Sequence, residues 1–169
     1  AVIDYKGRVF VSGGATNFNP GFLQPTNKTF IYDSSINSWP MYQQPCSGTV
    51  PALFGHSAVM SSASEETRQR LFVFGGTVGT NATNSFYVMS DLSASTSIWS
   101  NLSSTVNLPA ARTGAISVVD SNFNMFVYGG VFHGSEPWEQ RTNEQRAVLS
   151  ATSPPIDSYF TGYPVDVSQ

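Results

Sequence analysis

Three times in this chain a short aliphatic and aromatic run halts on a pair of glycines, and this recurrence limits the fold more than any other feature. The stretch AVIDYKGRVFVSGG (Ala1–Gly14) aligns without a gap on SVVDSNFNMFVYGG (Ser117–Gly130). Val2, Asp4, Phe10, Val11, Gly13 and Gly14 then match Val118, Asp120, Phe126, Val127, Gly129 and Gly130. A third copy, SAVMSSASEETRQRLFVFGG (Ser57–Gly76), lies between them with a longer polar turn. The glycine pairs end at Gly14, Gly76 and Gly130, spacings of 62 and 54 residues, so the chain is an array with a unit of about 50 residues.

Each unit reads as short strands. Runs such as Ser57–Met60 and RLFVFGG are too short for helices, rich in Val and Phe, and bounded by turn residues. A third strand follows a loop, as TFIYD (Thr29–Asp33) or SFYVM (Ser85–Met89), and a fourth ends at Trp39 or Trp99. Four strands and one Trp per unit describe a propeller blade. The paired glycines let the chain leave the strand with positive φ and let neighbouring blades approach closely. Asp4 and Asp120, at equivalent repeat positions, read as turn formers. Trp39 and Trp99 recur as repeat elements and are expected in the core.

The Gly-Gly after an aliphatic-aromatic strand, the later Tyr-like strand, the Trp, and the openings PALFGHSAV (Pro51–Val59) and PAARTGAIS (Pro109–Ser117) resemble the kelch repeat. The resemblance implies an all-β segment of about three four-stranded blades, at 1–48, 49–107 and 108–169. The third unit departs from the pattern. Ala147–Ala151 is expected as its third strand, with Tyr159 near the place of the missing Trp. Propellers close with roughly four to eight blades, and three alone would expose two apolar sheet faces. Further blades from a longer chain, or another copy, are therefore expected to complete a six- or seven-bladed ring. The longer chain is preferred because no terminal cap is recognisable.

Strand alternation sends the loops between second and third strands to the same face as the loops between blades. These are long: Ala15–Lys28, Thr77–Asn84 and Val131–Arg146, with Gln43–Val50 and Leu102–Leu108 between units. The resemblance implies that this face binds peptides or proteins, and long loops on a rigid scaffold commonly carry function. Phe18, Phe22, His133, Glu136, Trp138 and Arg141 are the candidate anchors, Trp and Arg being the commonest interface hot spots. Trp138 packing back onto its own loop is the alternative. Arg112 stands where kelch repeats often carry an Arg near the inner end of the ring, but Leu53 replaces it in the preceding unit.

Composition narrows the chemistry. A net charge of −3 with 8 Lys+Arg gives no phosphate-binding footprint, so nucleic acid is not expected as a partner. No apolar run reaches membrane-spanning length. Cys46 is alone, and His56 and His133 are too few for a three-ligand metal site, so no metal or cofactor is expected. His56 reads as a structural residue of the Gly-His-Ser opening. One enzyme alternative survives by resemblance: a galactose-oxidase-like copper oxidase, for which Cys46, Tyr42, His56 and His133 are partial ingredients. Three sequons, at Asn27, Asn81 and Asn101, fall in or beside loops where glycans fit. The leading expectation is a secreted or cell-surface, non-enzymatic module that binds a protein or glycan ligand. The alternative from the same fold is a cytosolic adaptor.

Overall fold

The computed structural model describes residues 1–15, 24–39, 50–62, 69–90, 92, 98–104, 108–131 and 147–150. Every regular element among them is a strand. The first sheet runs β1 (Val2–Ile3), β2 (Val9–Ser12) and β3 (Thr29–Tyr32), antiparallel and in that order. The second starts with β4 (Ser57–Met60) and β5 (Arg70–Phe74). A small hairpin of β6 (Thr77–Val78) and β7 (Asn81–Ala82) then interrupts, before β8 (Phe86–Ser90) and β9 (Ile98–Asn101) complete the order β4-β5-β8-β9. The third sheet is β10 (Ile116–Val119), β11 (Asn124–Tyr128) and β12 (Ala147–Ser150). β12 meets the strand expected at 147–151 to within one residue; Tyr159 lies outside the described residues.

The first turn of each end sheet is built by its aspartate. Asp4 Oδ1 accepts from the Lys6 and Arg8 backbone N–H groups at 2.9 and 2.8 Å, and Arg8 Nε donates to Oδ2 at 2.7 Å. Asp120 repeats this with the Asn122 and Asn124 backbones at 2.9 and 2.8 Å, and with Asn124 Nδ2 at 2.9 Å. Burial alone would push the Asp120 carboxyl up. The Asn124 and Asn122 donors outweigh that and hold it below the usual carboxylate value.

Alternation along the strands assigns the faces. Val2, Phe10 and Ile31 are register partners and point toward the second sheet, where they meet Leu71, Val73, Tyr87, Met89 and Trp99. The other face of β5 and β8, with Phe72, Phe74, Phe86 and Val88, packs on Met125 and Val127 of the third sheet. The Phe72 and Phe86 rings stack with centroids 6.1 Å apart. A strand buried on both faces has no polar alternation, which is why β5 runs Leu71–Phe74 without a polar residue. β4 lies against both β1 and β10, so the first strands sit side by side at one edge of the stack.

Trp39 corrects the expectation of a core Trp in both units. Trp99 is 3% exposed, whereas Trp39 is 54% exposed. Trp99 faces the first sheet; the equivalent face of the first sheet, carrying Trp39 beside Tyr32 at a 5.2 Å ring separation, is the outer end of the stack. The fourth strand of that unit is reduced, among the described residues, to the Asp33–Ser38 bridge. Asp33 Oδ1 accepts from the Ser35 backbone and hydroxyl inside this turn.

Candidate binding face

The loop face is knitted together by backbone hydrogen bonds that repeat from unit to unit. Gly14 N–H donates to Leu53 O at 2.7 Å, and Gly76 N–H to Arg112 O at 2.8 Å. The second glycine of a pair thus holds the opening segment of the next unit. Phe54 and Thr77 exchange bonds in both directions, as do Thr113 and Val131, joining each opening to the loop after its own second strand. Gly114 N–H donates to Gly55 O at 2.7 Å, directly linking equivalent positions of successive units. The loops between second and third strands and the unit openings therefore share one face, as strand alternation requires.

Arg112 serves this framework. It is 2% exposed, and Nε donates to Ala110 O at 3.1 Å and Nη1 to Gly129 O at 3.1 Å. Its guanidinium ties its own opening to the glycine pair of the same unit. Leu53 fills the equivalent place by packing in the apolar core between the first two sheets.

Along the edge of the first strands lies an open depression of about 490 Å³, lined by Ser12, Gly13, His56, Ser57, Ser117 and their neighbours. Ser57 Oγ donates to Ser117 Oγ at 2.6 Å, and Thr29 Oγ1 donates to Ser12 Oγ at 3.1 Å. Sequence reasoning missed this hydroxyl line; the Gly-His-Ser opening was its only visible signal. His56 is placed as expected, packed among backbone. A Cβ at Gly13 would come within 2.8 Å of its Cε1, and one at Gly76 within 2.8 Å of its Cβ. Its Nδ1 is buried and has no hydrogen-bond partner among the described residues.

Burial lowers the His56 pKa below its ordinary 6.5, and a Ser12 backbone hydrogen bond works against it. A group whose folded pKa is depressed supports the fold above its unfolded value and loses that support as pH falls through and below about 6.5. Urea midpoints are therefore expected to fall between pH 7 and 5. His56→Ala, which installs the residue found at the equivalent Ala115, is expected to flatten that part of the profile.

The six anchor candidates, Phe18, Phe22, His133, Glu136, Trp138 and Arg141, lie outside the described residues, as do Cys46 and Tyr42. On the described part of the loop face, Val78 and Val131 are exposed apolar side chains. Asn27, Asn81 and Asn101 are all exposed. Their sequon hydroxyls are engaged within the fold: Thr29 with Ser12, Thr83 with Ser85, and Ser103 Oγ accepting from Phe86 N–H. Among the described residues no three His, Cys, Asp or Glu side chains gather as metal ligands, and no helix is long and apolar enough to cross a membrane.

Antiparallel sheets stacked face to face, first strands side by side and glycine pairs at each junction, define a segment of a β-propeller. The chain belongs to the kelch-repeat family: a family model described as the KLHDC2/KLHL20/DRC7 Kelch-repeats domain matches residues 1–150. No curated protein matches the chain. Kelch-repeat domains are protein-binding modules and generally non-enzymatic.

Proposed function

We propose that this chain is a non-enzymatic propeller module that takes a protein partner on its loop face. The supporting observation is the backbone ladder through Gly14, Phe54, Gly76, Thr77, Arg112 and Gly114, which holds the openings and loop bases of successive units in one fixed surface. Pre-organised loops bind with less ordering cost. Family membership favours a protein over a glycan as the ligand. Affinity capture with the chain from its native cells tests the reading. Val78→Asp with Val131→Asp is expected to cut recovery of the specific partner about tenfold or more, since a charge buried at an interface without a counter-charge is costly. Tyr5→Asp, at the exposed turn between β1 and β2, is expected to leave recovery unchanged. Equal recovery across all three preparations would count against the loop face.

The secreted or cell-surface setting rests on the exposure of Asn27, Asn81 and Asn101. Hexosamine mass on any of the three in the native protein carries that setting. Three bare asparagines send the module to the cytosol as an adaptor, the usual setting of its family.

A further inference from the structure

His56 sits where two glycine pairs and the bases of two loops come together. A Cβ at Gly13 would lie 2.8 Å from its Cε1 and 3.4 Å from its Nδ1. One at Gly76 would lie 2.8 Å from the His56 Cβ and 2.9 Å from its backbone N. The bonds that fix the loop bases involve its near neighbours in sequence: Gly14 N–H donates to Leu53 O, and Phe54 and Thr77 exchange bonds in both directions. These contacts lie between the first two units or within the second, so they do not depend on what stands at either end of the array.

This site does not accommodate a charge. Nδ1 is buried without a hydrogen-bond partner among the described residues, so a proton gained there meets no acceptor. A buried charge without a partner is costly. Ser12, Gly13 and Leu53 on one side and Gly76 on the other bring no charged side chain. Among the residues lining the adjoining depression, His56 alone has a titratable side chain. Relief comes when the ring leaves its place between the glycine pairs, and the opening segment that carries it then moves as well. We propose that His56 is an acid-operated latch on the loop face: proton uptake at Nδ1 drives the ring from between Gly13 and Gly76, loosens the loop bases at Gly14 and Thr77, and releases the protein partner. The latch rests on the loop-face reading above and adds its regulation. The closed form disfavours the proton, so it prevails at neutral pH and loses ground as pH falls below about 6.5.

Hydrogen exchange by mass spectrometry on the protein at pH 7 and pH 5, corrected for the intrinsic pH dependence of exchange, tests this. Protection of the segments 52–57 and 76–78 is expected to fall about tenfold between the two. β5 and β8 are expected to stay at least about tenfold better protected than either segment at pH 5. His56→Ala and His56→Gln, neutral at both pH values, are expected to abolish the fall. His133→Asn, which removes the chain's other histidine, is expected to keep it. In the affinity capture described above, a pH 5 wash is expected to release the partner from the unaltered protein and to leave it on both His56 variants. Unchanged protection, a loss shared equally by β5 and β8, or a response that disappears with His133 overturns the latch. A partner that stays bound at pH 5 despite the exchange response overturns the release step. A pH-independent exchange pattern, beside a loss of recovery in Val78→Asp with Val131→Asp, overturns the latch and upholds the loop face. The converse pair of results overturns the loop-face reading and leaves the opening at His56 standing.

Discussion

Gly76→Ala is expected to cost the fold about 3 kcal/mol, combining left-handed backbone strain with overpacking. At φ 93° the position lies where an L side chain is disfavoured. A Cβ there would stand 2.8 Å from His56 Cβ, 2.9 Å from His56 N and 3.0 Å from His56 Cα. Most of these atoms are backbone, so relief requires the opening of the second unit to move. That opening is held by the Phe54–Thr77 exchange, and Gly76 N–H itself holds Arg112 O in the next unit. One methyl group therefore strains both the sheet and its junction. Gly79→Ala is the internal control: φ is 60°, and an added Cβ meets nothing within 4 Å. It is expected to cost only the backbone strain, about 1 kcal/mol. Urea denaturation of the two variants separates the contributions. Equal midpoints would mean that close approach at the junction contributes nothing.

The strands and their order were legible because three copies of one pattern were present, each correcting the boundaries read from the others. The glycine pairs carried the most information, since positive φ and the lack of room for a Cβ are properties of the position itself. Asp4 and Asp120 were legible as turn formers for a similar reason: their hydrogen bonds run to residues two and four positions on. Burial was less legible. Trp39 and Trp99 occupy one repeat position, but burial depends on what stands against the sheet, and only Trp99 has another described sheet packed on its face. Arg112 against Leu53 is a second instance, in which the same space is filled once by a hydrogen-bonded guanidinium and once by an aliphatic side chain. The binding face was legible as a surface, through strand direction, while its anchor residues fall in loop sequence that has no repeat to compare. By strand register Ser57 corresponds to Ile116 and Ser117 to Ala58, so the Ser57–Ser117 contact joins neighbouring rather than equivalent repeat positions, a pairing that a comparison of units does not reveal.

The contrast between the two tryptophans supplies the second large effect. Trp99→Ala is expected to cost about 3–5 kcal/mol, the range for emptying a large aromatic site in a packed core. Its ring lies opposite Met89 in the β8–β9 register and belongs to the cluster with Leu71, Val73 and Tyr87. Its Nε1 is buried without a hydrogen-bond partner among the described residues, so removing it orphans no acceptor there. Trp99→Phe keeps part of the ring volume and sheds that N–H group, and is expected to recover more than half of the loss measured for Ala. Trp39→Ala is expected to cost under about 1 kcal/mol, because the side chain is half exposed and its ring contact is with Tyr32. Urea midpoints of the variants check this: a Trp39→Ala loss as large as that of Trp99→Ala would mean that the two Trp-bearing faces are equally covered. A small Trp39 effect would match its exposure at the outer side of the first sheet.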